Sequence, residues 1–352
     1  AGLIATGWFT IFPPADWSFE LLAMANSAIA LFAVYLIARR YLNGDKRLLA
    51  LLLLLLTPFY QFHSQRFSTN QTLLSTWPIA TYCFLRAFES RGLAWSAAAG
   101  VTAALAMLGK YYSVYLIASF VIAALWHPRR WEYLRSPAPW VSILTGLAVL
   151  APHLYWLMTT GPGPFKYAMA VHGSGSIAEG LKAALAYAAG GLAYVLLPVA
   201  VYLLALRPDR RVFASVMWPD DPDRRMLVLL LAAQLLLPML TAPVIGIKLT
   251  SLWTMSAWFL LPIVLLGPPQ LTLPRAAAVR VALGVAVVTV VVLAAAPVVA
   301  WIRYEKDSKN DRAYYRVLSK ELTRYWRTAM QRPLTIVSGD LSVAQAVSFY
   351  SY

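Results

Sequence analysis

Ten apolar runs alternate with polar loops along this chain, at 17–38, 48–61, 72–85, 93–108, 112–126, 140–158, 183–206, 226–240, 252–266 and 281–301. A helix that crosses a bilayer needs about 20 apolar residues. Several of the runs are shorter, so the pattern predicts helices that extend past these limits into half-polar ends. No soluble core absorbs ten such segments. The expected fold class is an all-α polytopic membrane protein, a bundle of about ten spans over residues 1–301. Residues 302–352 change to mixed charge. There Leu318, Leu322 and Tyr325 fit one helical face, and 333–337 (PLTIV) reads as a strand. That pattern predicts the start of a small soluble α/β domain outside the membrane. The chain opens on Ala1 rather than Met and stops at Tyr352, and reads as a piece of a longer protein.

The loops assign an orientation. Alternate loops hold Arg39, Arg40, Lys46 and Arg47; Arg86 and Arg91; Arg129, Arg130 and Arg135; Arg207, Arg210, Arg211, Arg224 and Arg225; and Arg275 and Arg280. The opposite loops hold only Arg66, Lys110, Lys166, Lys182 and Lys248. Short cytoplasmic loops are the basic ones. The basic loops are therefore expected on the cytoplasmic side and the C-terminal tail on the opposite side. Composition agrees: 60% of residues are hydrophobic. The net charge of +15 reads as this asymmetry plus a basic tail, with anionic membrane lipid as its partner and no nucleic acid. The single cysteine, Cys83, lies inside an apolar run and excludes an intrachain disulfide.

Three loops carry local signals. The loop at 127–139 (HPRRWEYLRSPAP) places Trp131 and Leu134 among charges, as in a helix lying on a membrane surface. The loop at 207–225 pairs acids with bases and reads as a solvated turn. The outer loop at 159–182 is rich in Gly and Pro at its start, with further freedom around Gly173, Ser174 and Gly175.

Ionisable residues at a membrane are costly to bury and are functional candidates. Here they gather at the outer ends of the runs: His63, Arg66, Lys110, His153, Lys166, His172 and Lys248, with Tyr167 beside them. Several cations and few acids at one mouth suit a phosphate or pyrophosphate. The blander readings are that Lys110 and Lys248 snorkel to the interface, and that His63 and His153 serve hydrogen bonding and helix packing. His172 has no Asp, Glu or second His at ligand spacing, and the nearest acid is Glu179. No phosphate-cradling Gly-rich loop, HExxH or GxSxG motif is present.

Five stretches occur in order: YLIARR at 35–40, RFSTNQTLL at 66–74, LGKYY at 108–112, PHLYW at 152–156 and FKYAMAVH at 165–172. Together they resemble the dolichyl-phosphate-mannose protein mannosyltransferase family, glycosyltransferase family 39. The likeness is greatest to the bacterial branch that holds lipid A aminoarabinose transferase and the rhizobial galacturonosyltransferases. It covers roughly residues 1–300. It implies a GT-C fold and transfer of a sugar from a polyprenyl-phosphate-linked donor to a lipid or glycolipid acceptor, with inversion, on the periplasmic face. The family's catalytic Asp sits in a first outer loop, expected upstream of Ala1, so the base is not among these residues. Asp16 does not match its place. Asn70 stands where the family has a second acid. Lys248, Lys110 and Arg66 match positions expected near the donor phosphate. Asn70, Lys166, Tyr167 and His153 are expected in the acceptor or donor pocket. His172 matches a metal-coordinating histidine, so a divalent metal ion is the expected cofactor.

The rivals are a secondary transporter, a lipid-linked transferase of another family such as an O-antigen ligase, and a non-catalytic membrane homologue. A transporter places its ionisable groups near the midplane, between matching halves with broken helices. Here they lie at one face, and no inverted repeat is visible.

Overall fold

The computed structural model describes residues 2–61, 67–306 and 312–351. It is built from helices: α1 (Gly2–Phe9), α2 (Asp16–Tyr41), α3 (Lys46–Leu55), α4 (Pro58–Gln61), α5 (Thr69–Ser90), α6 (Leu93–Gly109), α7 (Val114–Trp126), α8 (Arg130–Leu134), α9 (Ala138–Thr160), α10 (Gly163–His172), α11 (Ile177–Leu206), α12 (Arg210–Met217), α13 (Pro222–Ile245), α14 (Leu261–Leu266), α15 (Arg275–Lys306), α16 (Arg312–Met330) and α17 (Leu341–Tyr350). Three 3-10 turns stand at Tyr111–Ser113, Ser251–Ser256 and Trp258–Leu260. The residues fall into two units, one of 23–285 and one of 2–22 with 286–352.

In the larger unit α5 packs on α6, α6 on α9, α7 on α13 and α11 on α13. Small residues set how closely α6 and α9 approach. A Cβ on Gly100 would lie 2.1 Å from the Ser142 carbonyl oxygen, so only glycine fits there. The contact is laced by the Ser142 hydroxyl, which donates to Ser96 O at 2.8 Å. Elsewhere buried polar groups are paired, as a low-dielectric interior demands. Asn26 donates to Gln71 O at 2.8 Å and accepts from the Ser75 hydroxyl at 2.5 Å, which ties α2 to α5. Trp77, fully buried, donates to the Ser113 hydroxyl at 3.0 Å.

In the smaller unit Trp8 donates to Ser18 O at 3.0 Å, and the Phe9, Phe19 and Phe349 rings form one aromatic cluster. The Tyr350 hydroxyl donates to Asp16 Oδ1 at 2.6 Å. Helix α16 packs on α17, burying Ser319, Thr323 and Val347.

The ten apolar runs do not become ten long spans. Among the described residues, five helices are long and apolar enough to cross a membrane: α2, α9, α11, α13 and the Arg275–Ile302 part of α15. Two shorter apolar helices, Leu93–Gly109 and Tyr111–Trp126, accompany them. The run at 48–61 breaks into α3 and α4 because Pro58 has no N–H to continue the helix. The run at 252–266 winds as 3-10 turns before the six-residue α14. Helix α5 is long enough but carries Gln71, Thr72, Ser75, Thr76 and Thr81.

Two further expectations are corrected. The stretch 333–337 is extended but is no strand: no ladder partner exists for it among the described residues, so the α/β pattern is not seen. The loop at 207–225 contains α12 rather than only a turn. Asp209 caps that helix by accepting from Val212 N at 2.8 Å, and Val212 and Val216, one turn apart, are buried. The surface helix expected at 127–139 is present as α8, with Trp131 exposed.

Candidate functional site

The larger unit builds a mouth from three loop-to-helix junctions. The first is the end of α6. Gly109 closes the helix, Lys110 takes an extended conformation, and the 3-10 turn Tyr111–Ser113 begins α7. The second is the start of α5, where Ser68 caps the helix by accepting from Asn70 N at 3.3 Å. The third joins the end of α10 to the end of α13. Gly246, at φ +72°, ends α13 in the left-handed region, which suits glycine. The chain then runs antiparallel to residues after α10 through a bridge between Gly173 and Ile247. Lys248 N donates to His172 O at 2.6 Å and Ser174 N to Gly246 O at 2.8 Å.

These junctions converge on one aromatic ring, Trp253. The Lys110 ammonium lies 3.9 Å from the Trp253 ring centroid and 5.7 Å from that of Tyr112. The His172 ring meets Trp253 edge-on at 5.0 Å. Tyr112 packs against Trp253 at 5.3 Å and Trp77 at 5.9 Å, and its hydroxyl is hydrogen-bonded to that of Tyr187 at 2.9 Å. Lys110 also donates to Asn70 Oδ1 at 2.8 Å. An amide oxygen thus receives the ammonium where the family resemblance placed an acid.

Electrostatics follow from that arrangement. Burial pushes the Lys110 ammonium down from its ordinary 10.5 to about 7. The ring face of Trp253 and the Asn70 oxygen oppose that push, since both favour the charged form. The His172 ring is held below its ordinary value first by burial and then by the Lys110 charge. Lys248 differs: half exposed, it pairs with Glu179 Oε2 at 3.0 Å. Glu179 also accepts from Gly175 N at 3.2 Å, and its own N–H donates to the Ser176 hydroxyl that caps α11. The buried Ser174 hydroxyl has no hydrogen-bond partner among the described residues.

The expected site residues are thus divided. Lys110, Asn70 and His172 come together around Trp253, and the backbone of Lys248 is bonded to that of His172. His153 sits one residue outside the group, since its Nε2 shares a hydrogen bond of 2.6 Å with the hydroxyl of Tyr111. Its ring stacks on Trp156, which fits the packing reading. Lys166 and Tyr167 are turned outward on α10, with Tyr167 67% exposed. Arg66 and His63 lie outside the described residues. For a metal, His172 is one donor. No group of three His, Cys, Asp or Glu side chains converges among the described residues, and the cation Lys110 acts on the same ring. Among the described residues that donor set is short of a metal centre.

Sequence reasoning missed Trp253 and Tyr187, and it noted Tyr112 and Glu179 without giving them a role at the mouth. Trp253 was hidden inside an apolar run. The signal available was the polar spacing of SLWTMS at 251–256, which a spanning helix has little reason to carry.

Comparison with known proteins places this arrangement. No curated protein matches. The crystal structure of ArnT from Cupriavidus metallidurans bound to undecaprenyl phosphate is similar over 99% of this chain, with a TM-score of 0.59 and 15% identity. The same protein in its apo state gives 0.58 and 14%. At that identity the likeness shows the fold, and the chain spans 63% of the length of those structures. The chain is accordingly a multi-pass membrane protein with the fold of ArnT, and its residues 1–156 match the family model of dolichyl-phosphate-mannose-protein mannosyltransferases.

Proposed function

We propose that the protein is a membrane glycosyltransferase that moves a sugar from a polyprenyl-phosphate donor to a lipid or cell-envelope acceptor, with inversion. The reaction runs on the periplasmic face of a bacterial inner membrane. The observation that carries this reading is the cationic mouth around Trp253, on a fold shared with a protein crystallised with undecaprenyl phosphate.

The division of labour follows from the geometry. Among the described residues Lys110 has no carboxylate partner and rests on an aromatic face and an amide oxygen. A phosphate oxygen entering the mouth offers it a stronger, charge-assisted hydrogen bond. Lys248 is held by an exposed carboxylate, so water screens its ion pair and the ammonium can transfer to a phosphate. As the sugar leaves, negative charge grows on the polyprenyl phosphate, and two preplaced ammonium groups stabilise it. The Ser174 hydroxyl supplies a further donor near the same loop. The acceptor's proton goes to the catalytic base, an Asp expected from the family outside residues 1–352. No step runs through a metal, because among the described residues the donors around His172 are short of a metal centre.

The test uses the full-length protein, a panel of radiolabelled polyprenyl-phosphate sugars and a crude lipid acceptor fraction. Label moving from one donor into lipid supports the reading and names the donor. A Lys248→Ala enzyme is expected to lose most turnover, and full retained activity removes Lys248 from the phosphate site. No transfer from any donor sinks the proposal.

A further inference from the structure

A second cavity lies in the larger unit, away from the mouth. It measures about 450 Å³ and is lined by Ala103 of α6, Ile117 and Val121 of α7, Leu134 of α8, and Ile143 and Leu147 of α9. That volume falls within the roughly 300–1,000 Å³ of ordinary ligand sites. It runs along α7 from Ile117 to Leu125, so its α8 end lies 11 residues past the start of α7, or roughly 16 Å along the helix from the Lys110 end. Gly100 and Gly146, which let α6 and α9 touch backbone to backbone, both line the cavity. Helix α9 buries almost nothing: Trp140, Ile143, Leu144 and Leu147 are all more than half exposed, an apolar face suited to lipid.

The rim has charge without acid to match. Helix α8 closes the cavity through Tyr133 and Leu134, and its neighbours Arg130 and Arg135 stack their guanidinium groups on Trp131 at 5.9 and 5.8 Å. The one acid of this segment, Glu132, is taken by Arg91. Arg130 and Arg135 have no carboxylate partner among the described residues, whereas Arg129 nearby has Asp223 at 2.6 Å.

We infer that this cavity is a binding site for an anionic phospholipid, one acyl chain lying between α6, α7 and α9 and the phosphate meeting Arg130 and Arg135. An apolar slot open to the bilayer takes an alkyl chain. Two unpaired arginines at its basic end select a negative headgroup over a zwitterionic one. The site is distinct from the mouth by position and does not depend on the transferase reading.

Native mass spectrometry of the delipidated full-length protein tests this, titrating phosphatidylglycerol against phosphatidylcholine. Phosphatidylglycerol is expected to bind more tightly, and Arg130→Gln/Arg135→Gln to weaken it roughly thirtyfold, from two charges at the membrane surface. Ala103→Phe, which fills the slot, is expected to weaken both lipids. Equal binding of the two lipids by the wild type overturns the inference, as does unchanged phosphatidylglycerol affinity in the arginine variant. Displacement of phosphatidylglycerol by undecaprenyl phosphate, mole for mole, assigns the slot to the polyprenyl chain and also overturns it. If Ala103→Phe fails to fold, the arginine variant decides alone, because its side chains are on the surface.

Discussion

The two ends of the helices in the larger unit use the same charges in opposite ways. At the basic end several arginines are matched to acids: Arg40 of α2 and Arg86 of α5 share Glu89, Arg91 holds Glu132, and Arg129 holds Asp223, while Arg130 and Arg135 stay without a carboxylate among the described residues. These pairs staple α2 to α5, the α5–α6 turn to α8, and the α7–α8 turn to α13. At the mouth, Lys110 has an amide oxygen and two aromatic rings instead of a carboxylate, and Lys248 has one exposed carboxylate. A paired charge is a fastener. A charge propped on neutral groups keeps most of its attraction for an anion that has yet to arrive. Charge count alone, which is higher at the basic end, does not separate fasteners from cations that are free to meet an anion.

The sharpest way to break this comparison is to remove the prop. Trp253→Ala is expected to cost about 3–5 kcal/mol, as large aromatic truncations in packed sites do. It also leaves Lys110 and His172 without their shared ring. Denaturation in detergent measures it, and a loss below 1 kcal/mol would mean the ring supports little. Next is Lys110→Met. It is expected to lower kcat about a hundredfold, the scale of one donor lost from a developing charge. Arg129→Met at the other end should change stability by about 1 kcal/mol or less and leave kcat alone. Equal effects on kcat from both would erase the distinction between the ends.

A pH series sharpens the comparison further. Lys110 is protonated below about 7 and neutral above it. Binding of a short polyprenyl phosphate is therefore expected to weaken as pH rises through about 7. Asn70→Asp puts a carboxylate beside the ammonium and favours its charged form, which moves the midpoint upward by about 1 unit or more. A midpoint that stays put would show that Lys110 does not set the profile. The smallest expected effect is that of Glu179→Gln, which releases Lys248 from an exposed pair and improves KM for the donor roughly twofold. Steady-state kinetics with labelled donor reads it.

Much of the larger design was legible without coordinates. The helical period, the polytopic class and the basic loops follow from composition and spacing, because a bilayer punishes unpaired backbone and buried charge wherever they fall. Lys110 was visible as a charge at the end of an apolar run and His172 as an ionisable group of the outer loop, whereas Asn70 came only through the family resemblance. Hydropathy cannot distinguish a run that forms one long helix from one broken into short pieces, as 48–61 and 252–266 are. Lys166 and Tyr167 were named from the outer loop and the family resemblance, and the side of α10 on which each falls is set by the helix period.

By itself, then, the sequence determined where apolar helices form, which loops carry charge, and which few ionisable residues border the lipid. Local period and composition suffice for those. The tertiary structure decided that Trp253, 81 or more residues from Lys110 and His172 along the chain, is the surface on which both meet. It likewise decided that Lys110 faces Asn70 rather than an acid, and that a slot lies beside the close α6–α9 contact. Each depends on which helix ends are brought together by packing, and packing is a property of the whole set of side chains rather than of any one segment.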